Sequence, residues 1–334
     1  MRNAKNKLDS EVLTPVKTGD GSTTFYSSVF GEWYHNRQGA FNEAEKTYIE
    51  SSQLAHRAKA KTINILDICY GLGYNTAAAL ETVLAVNGQC QVDLKALEID
   101  LAPSRCAIAQ NLIQPYAPPV QQILQDLATH CQSQQGNVRA QILLGDARQQ
   151  IQPLIAQGWQ ADIIFLDPFS PPNCPQLWTL EFLQRVAQCL SDDGVLVTYS
   201  CAAAVRSALR LANLEIGSIR TGGRKFPGTI ARRDRPNGST HASNASNPGG
   251  TDASQKASSM PAPLPALSQQ EQEHLQTRAA VPYRDPNLCS TAPEILERRT
   301  AEQAASKLAA TNPWRRRWQL TQANNTPAEK YTGT

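Results

Sequence analysis

Apolar positions in this chain fall into short runs that alternate with amphipathic stretches. The clearest run lies in 61–75, KTINILDICYGLGYN, where Ile63, Ile65, Leu66 and Ile68 are mostly β-branched and closely spaced. That pattern predicts a strand buried on both faces. Gly71 and Gly73 follow, and then Ala77, Leu80 and Leu84 share one helical face, with Val83 beside them. Further apolar runs predict strands over 92–99, 138–144, 162–166 and 195–199. Helical spacing predicts helices over 103–113, 119–130, 147–156, 179–190 and 202–211. Pro103 suits a first helical turn, where its missing N–H is harmless. Strands alternating with helices predict an α/β fold with a mostly parallel, Rossmann-like sheet. A strand over 214–219, a short loop over 221–227 and a last strand near Thr229 predict an antiparallel hairpin at one edge.

The flanks read differently. Residues 1–17 read as a flexible leader, and 18–233 as one catalytic domain with an N-terminal extension. In the extension, Asp20-Gly21 marks a turn, 23–26 a hairpin strand and 42–54 a helix. Tyr34 and His35 form a polar-aromatic pair there, which suits packing better than chemistry. Residues 234–265 are rich in Ser, Asn, Ala, Gly and Pro with little apolar content, the composition of a disordered linker. A partly helical tail, 266–334, is expected to carry helices over 268–279 and 292–308 and the cluster PWRRRW.

Composition narrows the class. The chain has 334 residues, 32 basic and 29 acidic, for a net charge of +3, so only a local patch would serve nucleic acid. No apolar run approaches the ~18 residues of a membrane span. The N-terminus has no apolar core of a secretory signal. The 8 cysteines are scattered, without a C-x-x-C pair, and read as reduced thiols in a cytoplasmic protein with no metal site.

The candidate chemistry lies at the strand ends. In an open α/β sheet, ligands bind beyond the carboxyl ends of the strands. Four acids fall there: Asp67, Glu98, Asp146 and Asp167. Glycines let a backbone turn sharply beside a ligand, and the following helix offers free N–H groups. A dinucleotide fingerprint would place a third glycine where Thr76 stands. Strand-end acids suit S-adenosyl-L-methionine better, since it carries an ammonium and a sulfonium but no phosphate. Asp67 is nearest the amino-acid end, Glu98 is placed for ribose hydroxyls and Asp146 for the adenine amino group. Asp167-Pro168-Phe169 lies nearest the transfer site. There Phe169 would stack on a base or wall a pocket, and Asp167 would align an attacking amine or take its proton.

At these residues the chain resembles a known family. GDGSTTFYSSVFGEWYHNRQGAFNEAE, DICYGLGYN, ALEID, LLGDA, DPFSPPNCPQLWT and GGRK together look like the methyltransferase domain of MnmC-type enzymes. The resemblance covers roughly 18–232. Its specific parts are D-x-F-x-P-x-x-x-P-x-x-W-[ST] and Y-H-x-x-x-G-A-x-x-E. It implies a class I S-adenosylmethionine-dependent fold with an antiparallel last strand. It also implies methyl transfer to the amino nitrogen of 5-aminomethyl-2-thiouridine at the wobble position of tRNA. Residue by residue, it implies Gly71, Gly73 and Asn75 in the cofactor loop, Glu98 and Asp146 at ribose and adenine, and Asp167 and Phe169 on the substrate side.

Three departures stand out. Cys69 replaces a usual glycine, which would widen the loop. GGRK continues as FPGTIA, a loose match, and the FAD-dependent oxidase half of the bifunctional enzymes has no counterpart, so no flavin is expected. A tRNA partner would need cations, and Arg224, Lys225, Arg232, Arg233 and Arg235, with Arg315, Arg316 and Arg317 between Trp314 and Trp318, are the candidates. Two other readings stay open. One is a methyl or aminopropyl transferase for another amine, and the other is an adenosyl-binding module without catalysis.

Overall fold

The computed structural model describes residues 13–234 and 263–324, with backbone only for the last five. Pro15–Lys17 (β1), at the end of the expected leader, pairs antiparallel with Thr23–Ser27 (β2), which pairs with Glu32–Trp33 (β3). The helix expected over 42–54 starts earlier, as Ala40–Glu43 (α1), and then widens into a π-helix over Ala44–Glu50. Such widening is uncommon and often accompanies function. Here the wider turn buries Thr47 and Tyr48 against the main sheet. Tyr48 packs on Phe165 at 5.5 Å, and the Thr47 hydroxyl accepts the Gly222 N–H at 3.1 Å. Leu54–Arg57 (α2) ends the extension.

The main sheet region follows the predicted alternation. Thr62–Ile68 (β4) leads to Tyr74–Val86 (α3), Gln91–Glu98 (β5), Ala102–Ala109 (α4) and Pro118–His130 (α5). Val120, Ile123, Leu124 and Leu127 of α5 are buried at helical spacing, so this helix is held by one apolar face. A strand the sequence reading did not foresee, Gln132–Gln135 (β6), folds back antiparallel on Val138–Leu144 (β7). Its QSQQ sequence carries no apolar alternation to reveal it. Then come Ala147–Ala156 (α6), Ala161–Leu166 (β8), Leu180–Gln188 (α7), Leu190–Thr198 (β9), Ala203–Leu211 (α8), Leu214–Ile219 (β10) and Gly228–Arg233 (β11). β9 begins earlier than expected because the Asp192-Asp193-Gly194 stretch stays extended.

The eight strands lie in the order β10-β11-β9-β8-β4-β5-β7-β6. The run from β9 to β7 is parallel throughout. β11 is antiparallel to both β9 and β10, as the hairpin reading predicts. The chain moves outward from β4 in both directions, so β4 and β8 flank the switch point where open α/β sheets bind ligands. Two apolar layers cover the sheet. One includes Tyr48, Leu80 and Phe165, and the other Trp178, Phe182 and Val205.

The linker expected over 234–265 lies outside the described residues for 235–262. Residues 263–265 run beside β10, where the Pro265 carbonyl accepts the Ser218 N–H at 2.9 Å. The tail's first helix, Gln269–His274 (α9), is shorter than expected and starts with a capping box of Ser268 and Glu271. Ala292–Ala305 (α10) and Thr311–Asn324 (α11) follow. The tail is part of the core. Leu267, Tyr283 and Ile295 are buried against the second apolar layer, and Glu271 pairs at 2.7 Å with Arg206, which is only 2% exposed. The cysteines are free, as expected; Cys90, Cys174 and Cys189 are buried, Cys289 is exposed and the other four are partly buried. No helix among the described residues is long and apolar enough to cross a membrane.

Ile295 has no exposed surface. Ile295→Ala is therefore expected to cost about 2–5 kcal/mol and to lower the urea midpoint of the whole protein. An unchanged midpoint would separate the tail from the core.

Candidate active site

Four neighbouring strands set the site's layout. β8, β4, β5 and β7 are adjacent and parallel, so their carboxyl ends form one row. Asp167 follows β8, Asp67 is the next-to-last residue of β4, Glu98 ends β5 and Asp146 follows β7. At ordinary strand spacing the row is about 14 Å long. All four expected acids thus stand on one edge.

Between β4 and α3 the loop turns sharply. Cys69 has φ 71°, a left-handed backbone that disfavours a side chain, which accounts for the glycine usual in the resembling family. Gly73, at φ 89°, caps α3 and lies under the Tyr70 ring, where an added Cβ would sit 2.6 Å from the tyrosine oxygen. Gly73 is therefore required on two counts. At Gly71 an added Cβ would come no nearer than 3.5 Å to the Tyr34 ring, so space alone does not demand glycine there.

The acids tie this loop together. The Gly71 N–H donates to Glu98 Oε2 at 2.8 Å, while Ile99 and Asp100 N–H groups donate to Oε1 at 2.7 and 3.0 Å. The Thr76 hydroxyl donates to Asp67 Oδ2 at 2.7 Å. Asp67 Oδ1 is buried without a partner. Burial raises the Asp67 pKa to about 7, the Thr76 bond opposing and the Glu98 charge adding to the rise. Burial also raises Glu98, against the three backbone donors. Asn75, in the first turn of α3, donates through Nδ2 to Asp167 Oδ2 at 2.9 Å. The loop that would hold the amino-acid end of a cofactor is thus joined to the DPF segment.

At the far end of the row, Asp146 caps α6. Its Oδ1 accepts the Arg148 N–H at 2.9 Å, and the Arg148 guanidinium bonds both carboxylate oxygens. Asp146 therefore has a fixed orientation, set by an arginine the sequence reading did not single out.

The N-terminal extension closes over the DPF end. Phe169 stacks on Phe30 at 4.5 Å and meets Tyr34 edge-on at 5.0 Å. The Ser170 N–H donates to Glu32 at 2.7 Å, and its hydroxyl also bonds that carboxylate. From below, the Trp178 indole N–H donates to the Phe169 carbonyl at 2.8 Å, and the Tyr199 hydroxyl to the Pro168 carbonyl at 2.8 Å. Burial raises the Asp167 pKa most, the nearby Glu43 charge adds to it, and the Tyr48, Arg224 and Asn75 groups partly oppose it. Glu43 is 2% exposed, paired with Arg224, and accepts the Asn36 N–H at 2.9 Å. Arg224 also lies 4.0 Å over the Tyr199 ring. His35, expected to pack, does so. It is buried edge-on to Tyr74, and burial depresses its pKa to about 4.

Several expected RNA-facing arginines are engaged in the fold. Arg224 is paired as described, Arg232 bonds Glu215 at 2.8 Å, and Arg233 bonds the Leu190 carbonyl at 2.8 Å. Arg235 lies outside the described residues. Trp314 stacks on His274 at 3.9 Å, so that ring face is covered, and Trp318 donates through its indole N–H to Glu273 at 2.9 Å. Glu43, Tyr48, Phe30, Glu32, Tyr199 and Arg148 were not read as site residues. Phe30, Glu32 and Glu43 lay within the stretch that carries the resemblance, Glu43 as the last position of Y-H-x-x-x-G-A-x-x-E, whereas Tyr48, Tyr199 and Arg148 had no such signal.

Comparison with known proteins agrees with this architecture. A family model described as S-adenosyl-L-methionine-dependent methyltransferase matches residues 109–234. The crystal structure of MNMC2 from Aquifex aeolicus is 27% identical, with a TM-score of 0.71, over 91% of this chain and 90% of that one. An uncharacterized protein of Methanocaldococcus jannaschii is 28% identical over 66% of this chain and 59% of its own length. The tRNA 5-methylaminomethyl-2-thiouridine biosynthesis bifunctional protein MnmC of Burkholderia vietnamiensis is 27% identical over 63% of this chain and 32% of its own length. The chain thus spans about a third of that bifunctional relative. The fold and the match over 109–234 are those of class I S-adenosyl-L-methionine-dependent methyltransferases. Within that class the chain is related to MnmC and to MNMC2.

The residues fit this cofactor. The unpartnered Asp67 oxygen, the α3 N-terminus beyond Gly73 and the acid row supply the acceptors and donors that an ammonium, a carboxylate and hydroxyls would need.

The raised Asp67 pKa has a consequence for stability. A carboxyl group protonated more readily in the fold than in the unfolded chain stabilises the fold at low pH. That contribution is fully present below about pH 4 and is lost as pH rises through about 7. Asp67→Asn is expected to remove the dependence. Its stability relative to the parent then rises between pH 4 and 7, by at most about 1.4 kcal/mol per pH unit. Urea midpoints at three pH values measure this, and a pH-independent difference would contradict it.

Proposed function

We propose that the protein methylates the amino nitrogen of 5-aminomethyl-2-thiouridine at the wobble position of tRNA, in the cytoplasm. The carrying observation is the Asn75–Asp167 hydrogen bond, which sets a partly buried carboxylate between the cofactor loop and an aromatic wall of Phe169, Phe30 and Tyr34. The MnmC relative, named for tRNA 5-methylaminomethyl-2-thiouridine biosynthesis, supports the substrate class. In this reading Asp67, Gly71, Gly73 and Asn75 hold the amino-acid end of the cofactor, Glu98 the ribose and Asp146 the adenine. The cofactor, when bound, supplies an activated methyl group. The protein's task is then to exclude water, position the amine and remove its proton.

Asp167 performs the last two steps. Held by Asn75 through one oxygen, it accepts a hydrogen bond from the amine through the other. A primary ammonium must lose a proton before its lone pair can react. A carboxylate with an ordinary pKa is a weak base for that step. Burial and the Glu43 charge make Asp167 a stronger one. Phe169 and its aromatic neighbours offer a flat apolar surface to a base turned out of its stack.

The RNA approaches along a rim made by the extension and the 221–227 loop. Arg37 lies over Trp33 at 5.6 Å, Trp33 meets Tyr26 at 5.1 Å, and Lys225 sits 5.7 Å from the Phe226 ring, which is 57% exposed. The two segments are joined by an Asn36 to Gly222 bond of 2.8 Å. Exposed rings beside cations suit unstacked bases and phosphates.

Asp167→Ala is expected to retain cofactor affinity within a few-fold and to lose at least about a hundredfold in turnover. Transfer of radiolabelled methyl into tRNA lacking the modification measures it. Label appearing only in protein or small molecules would refute the substrate, and unchanged turnover would remove Asp167 from the mechanism. The rate should rise with pH above the ordinary carboxylate range, since Asp167 must be ionised before it can take the ammonium's proton. A plateau already reached near pH 5 would contradict this. Phe226→Ala and Trp33→Ala should each raise KM for tRNA several-fold and leave cofactor affinity unchanged. An unchanged KM would move the RNA elsewhere.

A further inference from the structure

The tail reaches the adenine end of the strand-end row. Arg148 makes two sets of contacts. Its Nε and Nη2 fork onto the Asp146 carboxylate, with distances of 3.1, 3.2 and 2.7 Å. Its Nη1 donates to Asp285 Oδ2 at 2.7 Å and to the Ser290 carbonyl at 2.9 Å. Asp285 is fully buried, and the 285–290 loop wraps around it. Its other oxygen accepts the Cys289 and Ser290 N–H groups at 3.1 and 3.0 Å, while its own N–H donates to Glu181 at 2.7 Å. One guanidinium therefore sits between two carboxylates, one on the catalytic sheet and one on the tail.

We propose that Asp285 is a positioning residue for cofactor specificity, acting through Arg148 to orient Asp146 and keep it a strong acceptor for the adenine amino group. The inference rests on the reading of Asp146 as the adenine-facing acid. Two effects combine. The fork fixes the plane of the Asp146 carboxylate, which a terminal carboxylate torsion would otherwise leave broad. Asp285 also shares the positive charge. With two anions on one guanidinium, the cluster keeps a net negative charge, and Asp146 keeps acceptor strength for an incoming N–H. Without the second anion, Arg148 would neutralise Asp146 alone. The tail residue thereby contributes to recognising a base it does not touch.

The test is discrimination between two ligands. S-adenosylhomocysteine presents an amino group to Asp146, whereas its inosyl analogue presents an oxygen. Calorimetry on the full chain is expected to show the adenosyl form preferred at least tenfold. Asp285→Asn keeps the loop's backbone acceptor but loses the charge, and it should cut that preference at least threefold. Arg148→Lys, which keeps the charge and loses the fork, should do the same, and it carries the test if Asp285→Asn does not fold. Ile295→Val, a mild loosening of the tail elsewhere, should leave the preference unchanged. A parental preference in Asp285→Asn and Arg148→Lys, with its collapse in Asp146→Ala, would overturn the inference and leave Asp146's role standing. A parental preference in Asp146→Ala would remove the adenine role of Asp146, and the inference with it.

Discussion

The parallel register of β8, β4, β5 and β7 is the constraint on which the rest depends. Parallel strands end on the same side, so residues distant in sequence come to one edge at fixed spacing. Asp167 and Asp146 are brought into a single row with Asp67 and Glu98 because the four strands are neighbours. The row alone would be a set of loop acids. It becomes a site because short contacts tie each member to the glycine loop or to a helix start: Glu98 to Gly71, Asp67 to Thr76, Asp167 to Asn75 and Asp146 to Arg148. The loop cannot relax away from those contacts easily, since Gly73 carries the Tyr70 ring against its backbone.

Two segments outside the sheet complete the arrangement at opposite ends. The N-terminal extension closes the DPF end with Phe30, Tyr34, Tyr48, Glu32 and Glu43. The C-terminal tail braces the Asp146 end through Asp285 and Arg148. Each does so with buried groups, and buried charges persist only when paired. Glu43 with Arg224, and Asp285 with Arg148, meet that condition. The same economy explains why the arginine-rich stretch after Gly223 is a poor guide to RNA contact. Arg224 is paired with the buried Glu43, while Arg232 and Arg233 bond Glu215 and the Leu190 carbonyl at the surface.

The strand–turn–helix core was legible in the sequence because buried parallel strands are continuous apolar runs and their helices keep one apolar face. Ile63 to Ile68 and the Ala77, Leu80 and Leu84 face are examples. β6 was not legible, since QSQQ has no pattern of its own and is held by pairing with β7. The π-helix over Ala44–Glu50 was read as an ordinary helix, because its widening answers to the position of Tyr48 and Thr47 against the sheet rather than to local propensity. The candidate acids were legible from their place after apolar runs. Their partners were not, because Arg148 and Asp285 lie 137 residues apart and nothing local announces the pairing. The α9 helix ended early for a similar reason: Thr277 bonds back to the His274 carbonyl, and the chain then turns toward the core.

A crystal structure with S-adenosylhomocysteine bound would test the central claim most directly. The account predicts the ligand lying along the strand-end row, with its adenine amino group toward Asp146, its ribose hydroxyls toward Glu98 and its sulfur on the side of Asp167 and Phe169. A ligand seated instead in the groove of about 630 Å³ between α7 and the tail, lined by Glu181, Arg185, Asn213 and Leu288, would contradict it.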